Sequence, residues 1–214
     1  MIKAMLFDLD GTLVDTAPDL AFALNQVLQQ EGKMPLDYQQ IRPWVSHGGL
    51  EMIKRSFTNL SKSKEIELWQ TLVQIYQQHI ADNSGLFAGM DKVLNTLEQQ
   101  SIPWGIVTNK PHQLTQALLK ALHLQHRAAV IVSGDSLRHK KPHPEPLYFA
   151  CHKIKQHPRD CVYIGDAERD IKAGIAAGLQ TIAAAFGYLD GEKDIQQWGA
   201  DTIIQHPHDL LEFI

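Results

Sequence analysis

The first feature of the chain is an apolar run that ends in acidic residues. Met5-Leu6-Phe7 is followed directly by Asp8-Leu9-Asp10-Gly11-Thr12. A short apolar run bounded by turn residues is typical of a buried strand, here predicted at 4–7. Because side chains alternate along a strand, we expect Asp8 and Asp10 to point to the same side.

Helical and strand patterns alternate after residue 85. They predict a helix at 90–99 and strands from residue 104, at 130–133, at 162–164 and at 181–184. Alternation of this kind indicates an α/β fold whose core is a doubly wound parallel sheet, as in Rossmann-like proteins. The strand at 4–7 is expected to belong to the same sheet.

The stretch between the first strand and this alternation is too long for an ordinary connection. It covers about 80 mostly helical residues, whereas most connections in compact domains have ~4–6. The spacing of apolar residues predicts helices at 18–30, ended by Gly32, and at 65–81. We therefore predict an all-helical cap domain at 16–85, inserted into a core at 1–15 and 86–214, with Asn83-Ser84-Gly85 as the hinge.

Polar groups that suit phosphate chemistry follow the later strands. One strand ends in Thr108-Asn109, whose hydroxyl and amide can donate hydrogen bonds to phosphoryl oxygens. Lys141 stands just before a proline-rich helix entry, where its ammonium can act as a point charge on phosphate. A later strand ends in Gly165-Asp166, and Asp170 follows four residues on.

Paired carboxylates at a strand end repel each other unless something shares them. Asp is common in turns and at helix N-caps, so Asp8, Asp10 and Asp166 taken singly would need no ligand. The carboxyl ends of parallel strands, however, lie together at one edge of the sheet, and this edge is where such sheets bind ligands. Mg²⁺ prefers few carboxylates together with substrate phosphate. The combined pattern predicts a Mg²⁺-assisted phosphoryl-transfer site.

With these motifs the sequence resembles the haloacid-dehalogenase-like hydrolases, and specifically their phosphatases. Asp8-Leu9-Asp10-Gly11-Thr12 is similar to the first motif of that superfamily, Thr108-Asn109 to the second and Lys141-Pro142 to the third. Gly165-Asp166 with Asp170 is similar to the fourth. The resemblance runs over the whole chain.

The resemblance implies a role for each acidic motif residue. Asp8 would be the nucleophile that forms an aspartyl-phosphate, and Asp10 the general acid and base. Asp8, the backbone carbonyl of Asp10, and Asp166 would bind Mg²⁺. Asp170 would position the metal or the lysine.

The remaining motif residues would hold the phosphoryl group. Thr108, Asn109 and Lys141 would neutralise its oxygens as charge redistributes. A dehalogenase of this superfamily would lack the acid at the position of Asp10, so phosphate chemistry is favoured. A sugar phosphomutase or phosphotransferase would keep all four motifs and stays an alternative, as does a non-catalytic binding module with the same fold.

Substrate choice would fall to the cap. Its best candidate segment contains Ser46, His47, Gly48 and Gly49, where backbone amides and an imidazole could meet an anion; a plain interhelical loop is the alternative. In the segments at 107–111, 141–144 and 186–188 the chain resembles the phosphoglycolate phosphatase branch. The segments at 104–105, 144–147, 198–201 and 206–207 resemble the N-acetylmuramic acid 6-phosphate phosphatases of peptidoglycan recycling. Both substrates carry a carboxylate besides phosphate.

Charge and composition exclude several classes of binding partner. The net charge of the 214 residues is −4, which argues against general affinity for nucleic acid. The two cysteines form no close pair, and the eleven histidines are scattered, so neither a disulfide framework nor a histidine metal site is indicated. Without a signal-like segment or a membrane span, we expect a cytoplasmic monomer or homodimer that acts on a small molecule.

Overall fold

A six-stranded parallel sheet forms the centre of the molecule. The computed structural model describes residues 2–191 and 194–214. The sheet order is β5-β4-β1-β6-β7-β8. Its strands are β1 (Ala4–Phe7), β4 (Trp104–Val107), β5 (Val130–Val132), β6 (Cys161–Gly165), β7 (Gln180–Ala184) and β8 (Thr202–Ile204). The predicted α/β fold with a parallel sheet is confirmed.

Strand β1 occupies the middle of this sheet. Met5 pairs with Trp104 of β4 on one side and with Val162 of β6 on the other. Because all three strands run in the same direction, the residues that follow them meet at one edge of the sheet. The register therefore brings the first, second and fourth motifs together.

Helices cover both faces of the sheet. Met5 and Phe7 pack on one face with residues of α5 (Met90–Gln99) and α6 (His112–Ala121). Ala4 and Leu6 pack on the other face with residues of α7 (Glu145–Lys153) and α8 (Glu168–Ala177). This alternation along a single strand is what a doubly wound sheet requires, since both faces of β1 are buried.

The helical segment that follows β1 has a hydrophobic core of its own. It is entered through β2 (Val14–Asp15) and left through β3 (Gly85–Leu86), which pair antiparallel. Between them lie α1 (Ala17–Gln30), α2 (Tyr38–Ile41), a 3₁₀ helix (Arg42–His47), α3 (Gly49–Ser56) and α4 (Lys62–Gln78). Apolar residues of these helices form a separate cluster. We refer to this segment as the cap; the domain boundaries given above stay a prediction.

A buried carboxylate ties the two chain crossings of the cap together. Asp19, on α1, accepts hydrogen bonds from the backbone N–H groups of Asn83 and Ser84 and from their side chains, at 2.6–3.1 Å. Asp19 has no exposed surface. The segment predicted as a hinge is therefore held to the first cap helix.

Element bounds differ from the sequence-based ones in a few places. Helix α4 begins at Lys62 because Ser61 caps it, accepting a hydrogen bond from the backbone N–H of Lys64 at 3.3 Å. It ends at Gln78, three residues before the predicted end. Strand β8 and the 3₁₀ helix Pro207–Phe213 were not predicted. Among the described residues, every helix is too short or too polar to cross a membrane.

Candidate active site

Asp8 lies at the floor of a cavity between the sheet and the cap. Its side chain is almost fully buried, and its Oδ1 accepts a hydrogen bond from the backbone N–H of Leu9 at 2.7 Å. The Lys141 ammonium lies 2.9 Å from the same oxygen. Burial alone would raise the pKa of Asp8, but Lys141 and Arg169 outweigh it and lower that pKa. The lowered pKa of Asp8 favours its ionised form.

Lys141 links the acids of this floor. Its side chain is completely buried, and Nζ lies 2.7 Å from Asp170 Oδ1 in addition to its contact with Asp8. Nζ also donates a hydrogen bond to the Tyr163 hydroxyl at 2.7 Å. A buried ammonium between two carboxylates is electrostatically compensated. Asp170 thereby fixes the position of the lysine.

Asn109 holds the backbone of the lysine loop. Its Nδ2 donates to the Lys141 carbonyl at 3.0 Å, and its Oδ1 accepts from the Lys141 N–H at 3.1 Å. The peptide bond between Lys141 and Pro142 is cis. Asn109 thus holds the lysine loop through one N–H and the oxygen of its amide, and it also lines the cavity. The second N–H of Nδ2 is left for a ligand, so the phosphoryl contact expected from the sequence stays a prediction.

Asp166 is enclosed by the turn after β1 and by the segment after β7. It accepts hydrogen bonds at 2.9 Å from the Thr12 hydroxyl and from the backbone N–H of Tyr188. Two glycines, Gly11 and Gly187, pack so closely on it that a Cβ at either position would collide with its carboxylate. Burial, with the charges of Asp8 and Asp170, raises the pKa of Asp166 to about 7.

Three of the acids could hold a metal ion. Carboxylate oxygens of Asp8, Asp166 and Asp170 lie within 4.8 Å of one another, and all three residues are buried. Burial is the main cause of the raised pKa of Asp166, and the negative charges of Asp8 and Asp170 add to it. An all-oxygen donor set with this negative charge fits a hard divalent cation.

The Asp10 side chain lies outside this acidic group and points toward the cap. Its Oδ1 accepts from the Thr16 hydroxyl at 2.6 Å and from Lys110 Nζ at 2.8 Å. Lys110 Nζ also donates to the hydroxyl of Tyr76, on α4, at 3.1 Å. Burial would lower the pKa of Lys110, but Asp10 and Tyr76 raise it. Asp10 is therefore held by a cation that itself contacts the cap.

Thr108 lines the same cavity beside Asp8 and Asp10. Its side chain is buried, and its hydroxyl oxygen accepts from the backbone N–H of Lys110 at 3.2 Å. The hydroxyl hydrogen stays available to a ligand, because a hydroxyl can accept and donate at once. Thr108 thus offers a donor beside Asp8.

The cavity has a volume of about 570 Å³ and a polar floor. Its floor contains Asp8, Asp10, Thr108, Lys110 and Arg169. Its cap side is mostly apolar and includes Leu20, Val45, Leu50, Ile66, Trp69, Leu72 and Val73. A pocket of this size with a few convergent polar groups is typical of a small-molecule site.

All four cap residues singled out in the sequence lie on the wall of this cavity. Ser46 and His47 end the 3₁₀ helix, and Gly48 with Gly49 leads into α3. The imidazole of His47 forms a short hydrogen bond with Asp190, in the segment after β7. The segment is therefore part of the cavity wall and is bonded to the core through His47.

Several residues of the site were missed at the level of sequence. Lys110 directly follows the second motif, so its proximity to Asp10 could have been anticipated. Tyr76 and Arg169 gave no such signal, because they reach the cavity only through the packing of α4 and α8. Tyr188 is fixed to the cap entry: its hydroxyl donates to Asp15 at 2.7 Å and accepts from two backbone N–H groups.

One group of histidines is not scattered, contrary to the sequence-based expectation. A turn brings the rings of His139 and His143 into a stack with centroids 4.2 Å apart. His139 also lies 2.8 Å from Glu145, and the three side chains could hold a metal ion at the surface. His139 and His143 flank Lys141 in sequence without lining the cavity.

Comparisons with known proteins show the family of this chain. The family model for haloacid dehalogenase-like hydrolases matches residues 5–184. A phosphoglycolate phosphatase of Xanthomonas campestris is 41% identical over 98% of this chain and 95% of its own length. An N-acetylmuramic acid 6-phosphate phosphatase of Pseudomonas aeruginosa is 37% identical over 100% of this chain and 95% of its own length.

A solved structure has the same fold. The crystal structure described as a predicted phosphoglycolate phosphatase from Haemophilus somnus is 28% identical to this chain, with a TM-score of 0.87. It covers 99% of this chain, and the alignment includes 97% of that structure. The prediction of a phosphatase in this superfamily is confirmed by the family match and these relatives together. The chain belongs to the haloacid dehalogenase-like hydrolase family.

Proposed function

We propose that this chain is a Mg²⁺-dependent phosphomonoesterase that cleaves a small, carboxylate-bearing phosphate ester. The observation that carries the proposal is the environment of Asp8: a buried, ionised carboxylate next to Lys141, beside Asp166 and open to a substrate-sized cavity. Nucleophile, cation and metal-binding acid are thereby assembled at one sheet edge. Phosphoryl transfer needs these parts and little else from the protein.

The reaction would proceed in two displacements at phosphorus. Lys141 and the Leu9 amide both contact Oδ1 of Asp8, so we assign Oδ2 to the attack. The bond from Oδ2 to phosphorus forms as the ester bond breaks, and Asp10 gives its proton to the leaving oxygen. Water then attacks the aspartyl-phosphate, Asp10 takes a proton from it, and Asp8 is released. Thr108 and Lys141 would stabilise the phosphoryl oxygens.

Asp8, the backbone carbonyl of Asp10, and Asp166 would hold the Mg²⁺. When bound, the ion would neutralise charge on the phosphoryl oxygens and orient the group toward Asp8. Asp166 and the close-packed Gly11 and Gly187 support this assignment, because they leave a buried carboxylate in a fixed place with surplus negative charge.

The cavity favours the larger of two candidate substrates. The relatives' names point to 2-phosphoglycolate or N-acetylmuramic acid 6-phosphate. A two-carbon phosphate ester would leave most of the 570 Å³ to water, whereas an N-acetylated sugar acid could contact the apolar wall that includes Trp69 and Val73. We therefore rank N-acetylmuramic acid 6-phosphate first.

Phosphate release from both esters tests the function. We expect turnover with Mg²⁺, none with a chelator, and a higher kcat/KM for N-acetylmuramic acid 6-phosphate. Asp8→Asn should abolish release with every ester, while exposed Asp82→Asn should leave it unchanged. Activity surviving Asp8→Asn would overturn the mechanism, and a higher kcat/KM for 2-phosphoglycolate would reverse the ranking.

The phosphotransferase alternative predicts a different product. Phosphate would move to a sugar acceptor without an equivalent release of inorganic phosphate, which a combined sugar phosphate and inorganic phosphate assay distinguishes. A chain that binds these esters tightly without turning any over would instead be a binding module. The cap division at 16–85, a cytoplasmic location and the monomer or homodimer state stay predictions.

A further inference from the structure

Arg169 connects the catalytic floor to the cap. It follows the fourth motif residue Asp166 by three positions, and its Nη2 donates a hydrogen bond to the hydroxyl of Ser46 at 3.3 Å. Ser46 belongs to the cap, whereas Arg169 belongs to the core. Both residues line the cavity that also contains Asp8.

Arg169 places a positive charge at the N-terminal end of a helix. It lies in the first turn of α8, where the helix dipole disfavours a cation. Burial would lower the pKa of Arg169, but Asp170, Asp8 and Asp166 raise it, so the guanidinium stays charged. Even so, no salt bridge within residues 2–191 and 194–214 includes it, and the guanidinium keeps donors for a ligand.

The phosphoryl group already has its own partners. Lys141 lies 2.9 Å from Asp8, and Thr108 lines the floor beside it, while Arg169, also on the floor, donates to Ser46 on the cap wall. The part of an ester that lies between floor and cap is the leaving group. A planar guanidinium fork matches a carboxylate, to which it can donate two parallel hydrogen bonds.

We propose that Arg169, oriented by Ser46, forms a subsite for the carboxylate of the leaving group and so selects acidic phosphate esters. The subsite rests on the function proposed above and adds the residue that reads the acid. Arg169 would bind this carboxylate in the ground state and in the transition state, and it would take no part in bond making.

Matched ester pairs test the subsite. N-acetylmuramic acid 6-phosphate differs from N-acetylglucosamine 6-phosphate by the lactyl acid, and 2-phosphoglycolate differs from ethyl phosphate by its carboxylate. We expect Arg169→Gln to reduce the kcat/KM ratio of acid to non-acid ester by about 10- to 100-fold, the range for a lost hydrogen bond to a charged group. Arg169→Lys should give a smaller reduction, because it keeps the charge and loses the fork.

The ratio separates this role from a general one. Loss of a positive charge beside Asp8 would slow acid and non-acid esters alike and cancel in the ratio. An unchanged ratio in both pairs would therefore overturn the subsite and leave the phosphatase function intact. Lys172→Gln, an exposed cation on the same helix, serves as the control and should leave both ratios unchanged.

A binding assay covers the case of an inactive chain. Calorimetry with Asp8→Asn and with Asp8→Asn/Arg169→Gln, in the presence of Mg²⁺, gives the affinities for the two sugar phosphates without turnover. Weaker binding of the acid sugar alone in the double variant supports the subsite. Equal weakening of both sugars, or of neither, overturns it. A wild-type chain that releases no phosphate would overturn only the proposed function.

Discussion

Lys110, the residue after the second motif, forms a salt bridge with Asp10 of the first motif, with 2.8 Å between Nζ and Oδ1. The lysine is buried, and the same ammonium donates to the Tyr76 hydroxyl of the cap at 3.1 Å. Asp10, the proposed general acid and base, is therefore oriented by an ammonium that also contacts α4 of the cap. The contact couples the position of the cap to the proton transfer that we assign to Asp10.

Lys110→Met should separate this coupling from substrate binding. Without the ammonium, Asp10 loses its orientation, and we expect kcat to fall by about 10- to 100-fold, below the full ~10²–10⁴ of acid–base catalysis. KM should change little, because Lys110 is assigned no contact with the ester. Steady-state phosphate release measures both.

Two other variants serve as comparisons for the kcat of Lys110→Met. Tyr76→Phe removes the cap contact alone and should lower kcat by a smaller factor. Lys120→Met alters an exposed lysine of α6 and should have no effect. A rise in KM at unchanged kcat in Lys110→Met would show that Lys110 binds substrate instead.

The sheet and the catalytic motifs could be predicted because both are local in sequence. Each buried strand is an apolar run, and the parallel register of β1 with β4 and β6 then determines which residues meet. Asp8, Thr108 and Asp166 each come directly after the last residue of a strand. The helices of the cap were expected in type, although α4 begins three residues before its predicted start, at the residue after the Ser61 cap.

The remaining part of the site depends on packing between distant segments. Tyr188 reaches Asp15 over 173 positions, and Arg169 reaches Ser46 over 123. No periodicity encodes such pairs, because each depends on how the cap sits against the core. Strand β8 contains only two apolar residues, Ile203 and Ile204, too few for a clear pattern, whereas the equally short β5 is wholly apolar.

Tyr188→Phe should destabilise the fold at the cap entry. The buried hydroxyl accepts from the backbone N–H groups of Thr16 and Ala17 and donates to Asp15. Its removal takes this partner from the Thr16 N–H, whereas the Ala17 N–H keeps a 3.3 Å hydrogen bond to Asp15 Oδ1. We expect a loss of about 1–3 kcal/mol in the free energy of unfolding, measured by urea denaturation.

Tyr148→Phe is the matched control. Tyr148 is half-exposed, and its hydroxyl donates to one carbonyl, so the loss should stay below about 0.5 kcal/mol. Equal losses would contradict the role of Tyr188.

The metal-free chain should become less stable as the pH rises from about 4 to about 7. The pKa of Asp166 is raised from 3.8 to about 7, so the folded chain binds a proton there that the unfolded chain has released. The contribution of a group with a raised pKa is present below its unfolded pKa and is lost as the pH rises through its folded pKa. Urea unfolding in chelator at a series of pH values measures this slope.

Two aspartate variants check the origin of the slope. Asp166→Asn removes one of the two buried carboxyls whose pKa is raised, the other being Asp170, and should reduce the slope. Asp209→Asn removes a half-buried carboxylate whose pKa is lowered by hydrogen bonds from the His206 and Gln205 amides. Its contribution is lost only as the pH falls through that lowered pKa, so the slope between 5 and 7 should not change. A steep slope that persists in Asp166→Asn would assign it to other groups.

Gly187→Ala should impair the metal site through sterics alone. A Cβ at this position would collide with Cβ of Asp166 and would lie 2.5 Å from the backbone oxygen of Gly11, so the carboxylate must move. Metal ligands tolerate displacements of only a few tenths of an ångström. We expect the Mg²⁺ concentration for half-maximal phosphate release to rise by about 10-fold or more, a ratio worth ~1.4 kcal/mol of binding.

Gly85→Ala is the control for Gly187→Ala. It adds the same methyl group where no atom lies within 4 Å and should leave the Mg²⁺ titration unchanged. If both variants titrate like the wild-type chain, Asp166 does not hold the metal in the place assigned to it.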